Sequence, residues 1–379
     1  MDLVDDLLIR KDKFRISGLS IRHGLYKIAK KESHGISNIP LLHVEYSDND
    51  SNEISIIPIN EHNSNYKLIL PKRCHYLTYG DIVEISRNTI RILLSNNADT
   101  NTLLVTENCN NICSFCSQPP KDHDDVHLYN SATLALIEFE TNKVIGITGG
   151  EPTLNREKFL GLFRQASIFE QKRSYHVLTN GRAFKDRSFI KELIIETRKH
   201  DVVFGIPLYS ITPSVHDDMV GSKGAWQETI DGLINAIHAG LRIELRYIPT
   251  QTNHTEIGNY LTFTSTFLSG VEQLSIMNLE PHGWAKANWK SLFIHPNKYL
   301  SNIEDEFKLA KKKGLQIRLF NFPLCSIDNT YLREYCVKSI SDWKNYFPKE
   351  CTDCNKVDDC CGYFSSAKNS FKIKPRPIR

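Results

Sequence analysis

From residue 101 onward the chain alternates short apolar runs with amphipathic segments, and this rhythm limits the possible folds more than any other feature. Seven strand-like runs lie between residues 102 and 322, and most are separated by segments with apolar residues at intervals of three and four. Several of these segments end at a glycine such as Gly240 or Gly314, the residue that commonly follows a helix. Strands that alternate with helices predict βαβ units and a parallel sheet.

Six such units and one further strand are too few to close an eight-stranded barrel. We therefore predict an α/β fold, a partial (βα)6 barrel of the TIM type, over residues 101–322. In barrels of this kind the chemistry takes place at the loops that follow the C-terminal ends of the strands. Candidate functional residues are therefore expected in those loops.

Residues 1–100 differ from the rest of the chain. They contain short alternating apolar runs, such as those at 66–71 and 81–86, separated by loops rich in Asn, Asp and Ser. This pattern predicts a small β-rich domain over residues 1–100. Such a domain could bind a peptide by adding it as a strand, or it could serve only as a packing unit.

The balance of charges gives no support for a nucleic-acid-binding protein. Lys and Arg number 47 against 44 Asp and Glu, so the formal net charge is only +3, whereas nucleic-acid-binding proteins usually carry a clear basic excess. No stretch approaches the roughly 18 apolar residues of a membrane span, and the N-terminal residues lack the pattern of a signal peptide. We therefore expect a cytoplasmic protein with no nucleic-acid or membrane partner.

The ten cysteines are many for a cytoplasmic chain, and most of them lie in two groups. Because disulfides are rare in a reducing compartment, such groups indicate a metal site or catalysis. The first group is Cys109, Cys113 and Cys116, directly after the first strand of the predicted barrel. Three thiolates at this spacing can hold a [4Fe–4S] cluster and leave one iron open to another ligand. The alternative is a zinc site completed by a distant fourth residue.

The second predicted strand leads into a turn with two successive glycines, Gly149 and Gly150, followed by Glu151 and Pro152. Glycine lets a ligand approach the backbone closely, so this turn could bind a zwitterion such as an amino acid. Alone, the turn could equally be a tight connection in which glycine supplies a positive φ. Its position one strand after the cysteine loop favours the binding role.

The cysteine loop and the glycine turn together resemble the radical S-adenosylmethionine superfamily. The loop Cys-Asn-Asn-Ile-Cys-Ser-Phe-Cys matches that family's C-x3-C-x-Φ-C pattern, in which Φ is aromatic, and Gly-Gly-Glu-Pro matches its methionine-binding motif. The resemblance implies that Cys109, Cys113 and Cys116 hold a [4Fe–4S] cluster whose open iron binds S-adenosylmethionine. It also implies reductive cleavage of that cofactor to a 5′-deoxyadenosyl radical, with an electron from a one-electron reductant of flavodoxin or ferredoxin type.

The same resemblance implies further cofactor contacts. Phe115, the aromatic residue before the third cysteine, would pack near the adenine. The turn formed by Gly149, Gly150, Glu151 and Pro152 would hold the methionine ammonium, with the Glu151 carboxylate beside it as a charge-assisted partner.

Three other residues at predicted strand ends are weaker candidates for cofactor binding: Asn180, Ser210 and Arg246. Ser210 could bond the ribose hydroxyls, and Arg246 could bind the cofactor carboxylate. Each could equally be a polar strand-end residue that pairs with backbone. The segment 279–288 follows the sixth strand and is expected to form a pocket wall, with His282 at its edge.

A second group of cysteines lies in the segment 323–366. Its candidate ligands are Cys325, Cys351, Cys354 and one of the adjacent pair Cys360 and Cys361. Four thiolates suit an auxiliary [4Fe–4S] cluster or an all-cysteine zinc site, and the radical S-adenosylmethionine resemblance favours iron and sulfur. We interpret Cys336 as a bystander, Cys74 as a small buried hydrophobic residue, and 367–379 as a basic, flexible tail.

The chain from about residue 80 to 366 is similar to one branch of this superfamily, the His-Xaa-Ser system radical S-adenosylmethionine maturases of type C. The similarity rests on the segments 116–125, 206–232, 321–325 and 339–345 and on the C-terminal cysteines. In that family the last cysteine precedes Gly-Gly-aromatic-Phe. By this pattern Cys360 is the ligand and Cys361 stands at the first glycine position.

This closer resemblance implies partners and a function. The partners would be a precursor peptide or protein with His-Xaa-Ser repeats and a paired second radical S-adenosylmethionine maturase. The function would be post-translational modification of that ribosomally made precursor. The alternatives are a radical enzyme that acts on a small molecule in cofactor biosynthesis and a non-enzymatic zinc-binding adaptor.

Overall fold

A computed structural model describes eleven segments of the chain. They are residues 11–13, 15–17, 24–29, 39–47, 53–58, 66–71, 76–86, 89–168, 172–338, 344–368 and 373–379. Cys74 and most of the segment 339–345, both singled out from the sequence, lie outside these residues.

The N-terminal part contains a mixed sheet of eight strands within the described residues. They are β1 (Lys11–Lys13), β2 (Arg15–Ser17), β3 (Gly24–Ala29), β4 (Leu41–Ser47), β5 (Glu53–Pro58), β6 (Tyr66–Pro71), β7 (Ile82–Ser86) and β8 (Thr89–Leu94). Their order in the sheet is β1-β8-β7-β3-β4-β6-β5-β2. β7 and β8 form an antiparallel pair, whereas β4 runs parallel to both β3 and β6. The strand-rich N-terminal region predicted from the sequence is confirmed.

The second large sheet is entirely parallel and follows the order of the chain. Its strands are β9 (Asn101–Leu104), β10 (Ile145–Thr148), β11 (Ser174–Leu178), β12 (Asp201–Pro207), β13 (Arg242–Tyr247), β14 (Gln273–Met277), β15 (Gln316–Phe320) and β16 (Cys336–Val337). A separate two-stranded antiparallel pair consists of β17 (Asn345–Tyr346) and β18 (Tyr363–Phe364).

Helices connect the strands of the parallel sheet. They are α1 (Val126–Glu138), α2 (Arg156–Ala166), α3 (Arg187–Thr197), α4 (Pro213–Val220), α5 (Ala225–His238), α6 (Ile257–Phe267), α7 (Gly283–Ala287), α8 (Trp289–Leu292), α9 (Asn297–Leu300), α10 (Glu304–Lys312) and α11 (Thr330–Arg333). As predicted, Gly240 and Gly314 follow helices with φ values of 74° and 94°. Within the described residues, no helix is both long and apolar enough to cross a membrane.

This architecture confirms the predicted α/β fold with a partial parallel barrel. β9 and β16 are the two edges of the parallel sheet and do not pair with each other in the described part of the chain, so the barrel is open. One strand was not predicted. β16 has only two residues, too few to give a detectable alternation, and it extends the sheet beside β15.

The core lies between the parallel sheet and its helices. Phe204, Ile206, Leu245, Tyr247 and Ile276 on the central strands are fully buried. Parallel sheets are covered by helices on their outer face, and for this reason their strands are rich in aliphatic and aromatic residues. The apolar runs seen in the sequence are therefore the strands of this buried layer.

The N-terminal sheet packs against the first part of the barrel. Leu25 and Leu94 of the N-terminal sheet belong to the same buried cluster as Leu103 and Leu136 of the barrel. The ammonium group of Lys27 also donates to the backbone carbonyl of Glu138, at the end of α1, over 2.8 Å. The N-terminal sheet thus shares its packing with the strand that precedes the cysteine loop.

Replacing Gly232 by Ala is expected to destabilise the fold. Gly232 lies on α5, and a Cβ atom there would overlap the carbonyl oxygen of Gly181 and approach Phe184 Cβ within 3.2 Å. Overpacking of this kind usually costs about 1–3 kcal/mol. The matched control is Gly161→Ala in α2, where a Cβ meets nothing within 4 Å and helix propensity favours Ala by about 1 kcal/mol. Chemical denaturation should show opposite shifts, and equal stability of the two variants would contradict this packing.

Candidate functional site

The candidate residues from the barrel lie in loops at one edge of the parallel sheet. The cysteine loop, here residues 107–118, follows β9, and the glycine turn, here residues 149–152, follows β10. Asn180 follows β11 in the same way. Because neighbouring strands run parallel, the loops after their carboxyl ends meet at this edge. The sequence prediction that these segments come together is therefore satisfied by the topology.

The three thiols of the cysteine loop are half-buried and close to one another. The backbone N–H of Asn111 donates to Cys109 Sγ over 3.3 Å, and Cys116 Sγ donates to the carbonyl oxygen of Gln118 over 2.9 Å. Burial raises the pKa of Cys109 to about 11 and also raises that of Cys116. The pKa of Cys113 is raised by burial and further by the two neighbouring thiols. These thiols are protonated at neutral pH, so metal binding must release protons.

This donor set fits a cluster better than a single ion. Among the described residues, no three His, Cys, Asp or Glu side chains are grouped tightly enough for one metal ion. Thiolates that bind separate irons of a cluster lie farther apart than the ligands of one tetrahedral zinc. Three half-buried thiols from one loop therefore suit a [4Fe–4S] cluster with one iron left open.

The glycine turn lies directly against the cysteine loop, backbone to backbone. The N–H of Gly150 donates to Thr106 O and the N–H of Glu151 to Asn108 O, each over 2.8 Å. A Cβ at Gly149 would approach Thr106 O within 2.7 Å, and a Cβ at Gly150 would overlap the Asn108 carbonyl. Both glycines are thus required by the close approach of the two loops. This contact explains why the turn carries glycine twice.

The Glu151 carboxylate is committed to protein partners. It is 1% exposed and accepts hydrogen bonds from Thr153 N, Thr153 Oγ1, Thr179 Oγ1 and Asn180 N over 2.6–2.9 Å. These donors join the end of β10 to the end of β11. The expected contact between this carboxylate and a ligand ammonium is therefore revised, since Glu151 instead fixes the turn whose backbone faces the site. Pro152 is buried next to it and begins a single 3-10 turn.

Asn180 links the same loops and does not present its amide to an open site. Its Nδ2 donates to Asn110 Oδ1 of the cysteine loop over 2.7 Å, and its Oδ1 accepts from Arg182 N over 3.0 Å. The side chain is 8% exposed. Asn180 therefore positions the cysteine loop.

Arg182 is a second positioning residue, and the sequence gave no signal for it. Its Nη1 donates to Asn110 O, Asn111 Oδ1 and Ser222 Oγ over 2.6–3.0 Å, and its Nε donates to Glu228 Oε2 over 2.6 Å. The side chain is 13% exposed. A planar guanidinium held on two sides fixes its partners rigidly, so Arg182 joins the cysteine loop to the start of α5.

Ser210 does not offer its hydroxyl to a ligand. It is fully buried, and its Oγ donates to Glu256 Oε2 over 2.6 Å while accepting from Thr212 N over 2.8 Å. The predicted ribose contact is therefore wrong for this conformation. Ser210 instead matches the alternative role, a polar strand-end residue that pairs locally.

Arg246 retains hydrogen-bonding capacity. Its Nη2 donates only to the weakly accepting sulfur of Met277, over 3.0 Å, and its buried Nε has no hydrogen-bond partner. Glu244, 3.9 Å from that Nε, is already bonded to His176 over 2.6 Å. Burial, then Cys113 of the cysteine loop, raises the pKa of Tyr209, and Arg246 opposes this rise. Arg246 and the cysteine loop thus both lie near Tyr209, and a carboxylate ligand would satisfy the guanidinium.

Phe115 is buried in protein, with 5% of its surface exposed. Its ring packs edge to face on Tyr209, with centroids 4.7 Å apart, and it belongs to an apolar cluster with Met219 and Leu279. The aromatic residue of the cysteine loop therefore anchors that loop to the barrel rim. The prediction that it also lies near an adenine stays a prediction.

Two further segments hold the cysteine loop from the side of α4. Ile112 N donates to Val220 O over 2.8 Å, and Ser114 N donates to Met219 O over 3.0 Å. Gly221 ends α4 with a φ of 59°, and a Cβ there would approach Ile112 O within 2.7 Å. The loop is thereby fixed along its backbone between the first and third cysteines.

The segment 279–288 forms the opposite wall, as predicted. Trp284 N donates to Cys116 O over 2.9 Å, and Asn288 Nδ2 donates to Ser114 O over 2.7 Å. Gly283 has a φ of 52°, and a Cβ there would lie 2.5 Å from Cys116 O. His282 is buried with no hydrogen-bond partner at Nε2, and burial lowers its pKa.

The second group of cysteines surrounds one cavity of about 320 Å³. All four predicted ligands line it: Cys325, Cys351, Cys354 and Cys360. Protein donors reach three of the sulfurs. Leu324 N and Gly362 N donate to Cys360 Sγ over 3.4 Å, Ile378 N donates to Cys354 Sγ over 3.3 Å, and Tyr363 Oη lies 3.1 Å from Cys325 Sγ. Hydrogen bonds to cysteine sulfur are typical of iron–sulfur sites.

The adjacent pair of cysteines is clearly divided. Cys360 lines the cavity, whereas Cys361 points its thiol at the Gly362 carbonyl over 3.2 Å and is not among the lining residues. The hydrogen bond from Cys361, helped by two backbone N–H groups, lowers the pKa of Cys360 to about 6. This arrangement supports the choice of Cys360 as the ligand.

The C-terminal residues are not free of the fold. The sequence led us to expect a flexible basic tail, but residues 375–378 lie on the cavity formed by the four cysteines. Pro375 is buried, and Arg376 donates to the Cys325 carbonyl over 2.7 Å. Long-range contacts of this kind leave no periodic signal in a short polar segment.

Comparison with known families identifies the barrel. Residues 103–257 match the family described as the Radical SAM superfamily. This part of the chain, with the cysteine loop and the glycine turn, is a radical S-adenosylmethionine superfamily domain. Members of this superfamily are enzymes that bind S-adenosylmethionine and a [4Fe–4S] cluster. No curated protein matches the chain.

Solved structures with similar folds include three radical S-adenosylmethionine proteins. SuiB from Streptococcus suis bound to S-adenosylmethionine is 12% identical, with a TM-score of 0.45 over 60% of this chain and 51% of that one. Native anSMEcpe with bound AdoMet and Cp18Cys peptide is 18% identical, with a TM-score of 0.44 over 58% and 62%. HemN, the coproporphyrinogen III oxidase from Escherichia coli, is 15% identical, with a TM-score of 0.45 over 57% and 52%. The chain thus spans between half and two thirds of their lengths.

Replacing Gly283 by Ala should displace the cysteine loop and reduce cluster binding. The matched control is Gly224→Ala, because Gly224 also has a positive φ, 79°, but a Cβ there meets nothing within 4 Å. Both variants should lose about 1–2 kcal/mol from backbone strain. Only Gly283→Ala should also bind fewer irons after anaerobic reconstitution, measured by iron analysis and electron paramagnetic resonance. Equal iron in both variants would show that this wall does not position the loop.

Proposed function

We propose that this chain is a radical S-adenosylmethionine enzyme that modifies a ribosomally made peptide or protein. The observation that carries the proposal is the backbone contact between the three-cysteine loop and the glycine turn. It places three thiols and a turn stripped of side chains at the same edge of an open barrel. These are the two parts that the cofactor chemistry needs side by side.

Within this site each residue has a distinct task. Cys109, Cys113 and Cys116 would hold a [4Fe–4S] cluster, and the backbone at Gly149 and Gly150 would accept the methionine ammonium. Arg246 would bind the methionine carboxylate through the donors that the protein leaves unused. When bound and reduced, the cluster would supply one electron to S-adenosylmethionine and so release a 5′-deoxyadenosyl radical.

The surrounding residues orient these groups and exclude water. Glu151, Asn180 and Arg182 form a buried hydrogen-bond network that fixes the two loops relative to each other. Phe115 and Tyr209 close the apolar side of the site. A radical must be kept from solvent and side reactions, and protein surroundings serve this purpose in cofactor enzymes.

The four cysteines around the second cavity would hold an auxiliary [4Fe–4S] cluster. The sulfurs surround a cavity of about 320 Å³ and do not converge on one point, as four ligands of a single zinc ion would. Three of them receive hydrogen bonds from protein N–H or O–H groups, a feature that tunes iron–sulfur sites. The auxiliary site lies next to β15, at the same end of the barrel.

The peptide substrate is inferred from the similarity to the His-Xaa-Ser system maturases of type C. The substrate would carry His-Xaa-Ser repeats, a second radical S-adenosylmethionine maturase would act with this chain, and a flavodoxin or ferredoxin would supply electrons. The N-terminal sheet is compatible with peptide docking, because β1 and β2 are edge strands within the described residues. An edge strand leaves backbone groups available for an added strand.

Replacing Cys113 by Ala should abolish formation of 5′-deoxyadenosine and remove one cluster. Iron should fall from about eight to about four atoms per chain, the stoichiometry of two cubanes and one. The control is Cys336→Ala, a half-buried cysteine that does not line the second cavity, and this variant should retain both iron and activity. Continued 5′-deoxyadenosine formation by the Cys113 variant would contradict the ligand assignment.

Incubation with a His-Xaa-Ser repeat peptide tests the substrate class. The reduced protein with S-adenosylmethionine should change the peptide mass and consume the cofactor faster than it does alone. The matched control is the same peptide with each His and Ser replaced by Ala. If the active protein forms 5′-deoxyadenosine but changes the mass of neither peptide, the substrate proposal is wrong, and a small-molecule substrate becomes the better interpretation.

A further inference from the structure

Residues 375–378, here called the closing segment, form one wall of the cavity with the four cysteines. Pro375, Arg376, Pro377 and Ile378 all line it. The four cysteines come from distant parts of the chain: Cys325 follows β15, whereas the others lie between residues 351 and 360. The closing segment contacts both parts, so its position concerns how the ligand set is assembled.

Arg376 connects the closing segment to the first part. Its guanidinium donates to the backbone carbonyl of Cys325 from Nε over 3.2 Å and from Nη2 over 2.7 Å. Nη2 also lies 2.9 Å from Asp328 Oδ1. The side chains of this ion pair are 51% and 60% exposed, so the pair alone adds little stability. The forked bond to the Cys325 carbonyl is the more specific contact, because only a planar guanidinium can make it.

Ile378 connects the closing segment to the second part. Its N–H donates to Cys354 Sγ over 3.3 Å, and its carbonyl accepts from Asn355 N over 2.9 Å. This two-way backbone pairing fixes the segment beside the Cys351–Cys354 turn. Between the two anchors, Pro375 and Pro377 limit the backbone to extended conformations, so the segment loses little entropy when it binds.

We propose that the closing segment is a positioning element of the auxiliary site. It ties Cys325 to Cys354, donates a hydrogen bond to a ligand sulfur, and covers the cavity against solvent and chelators. This inference rests on the proposed auxiliary cluster and extends it to residues that are not ligands. Contacts around metal ligands commonly matter as much as the ligands themselves, and their loss typically reduces metal affinity by about 10–100-fold.

The test uses a chain in which Cys109, Cys113 and Cys116 are all Ala, so that the iron bound reports the auxiliary site alone. Into this parent one introduces Arg376→Gln, which removes the forked bond, or deletes residues 373–379. The matched control is Lys374→Gln, which removes one exposed positive charge from the same segment. The measurement is the iron content after anaerobic reconstitution and the rate at which a ferrous chelator removes that iron.

Arg376→Gln and the deletion should each lose iron at least about tenfold faster than the parent, whereas Lys374→Gln should match the parent. Circular dichroism shows whether each variant is folded, and if the deletion variant is not folded, Arg376→Gln decides. Unchanged iron loss in folded Arg376→Gln would overturn the proposal for the closing segment and leave the auxiliary cluster intact. A parent that binds no iron would instead overturn the auxiliary cluster itself, and the closing segment with it.

Discussion

The direct backbone contact between the cysteine loop and the glycine turn is the constraint on which the candidate site depends. Gly150 and Glu151 donate to the carbonyls of Thr106 and Asn108, and a side chain at either glycine would push the loops apart. Buried backbone groups must be paired, so these bonds also satisfy the ends of β9 and β10. Other residues then add to a geometry that the backbone has already set.

The second cysteine group follows a different logic. The cysteine loop is one continuous stretch fixed from all sides, whereas the auxiliary ligands come from two distant segments that must be brought together. The closing segment and the Tyr363 hydroxyl act at this junction, because each contacts Cys325 or Cys354 directly. A site assembled from separate segments needs such connections more than a site formed within one loop.

Periodicity and parallel topology made the architecture and the place of the site predictable. The roles of single polar residues were less predictable, because they depend on partners far away in sequence. Ser210 had the right position for a cofactor contact, yet Glu256 occupies its hydroxyl. Arg182 carries no motif, and its role is set by contacts to Asn110, 72 residues earlier, and to Glu228. The docking of residues 375–378 depends in the same way on contacts that no local pattern encodes.

The central claim is that three cysteines leave one iron free to bind the amino and carboxylate groups of S-adenosylmethionine. The most direct measurement is electron–nuclear double resonance on the reduced protein, with the cofactor labelled with ¹⁵N at the amine and ¹⁷O at the carboxylate. The account predicts hyperfine coupling of both labels to the cluster, and loss of both in the Cys113→Ala variant. A reduced cluster that shows no coupling to either label, with the cofactor in excess, would contradict it.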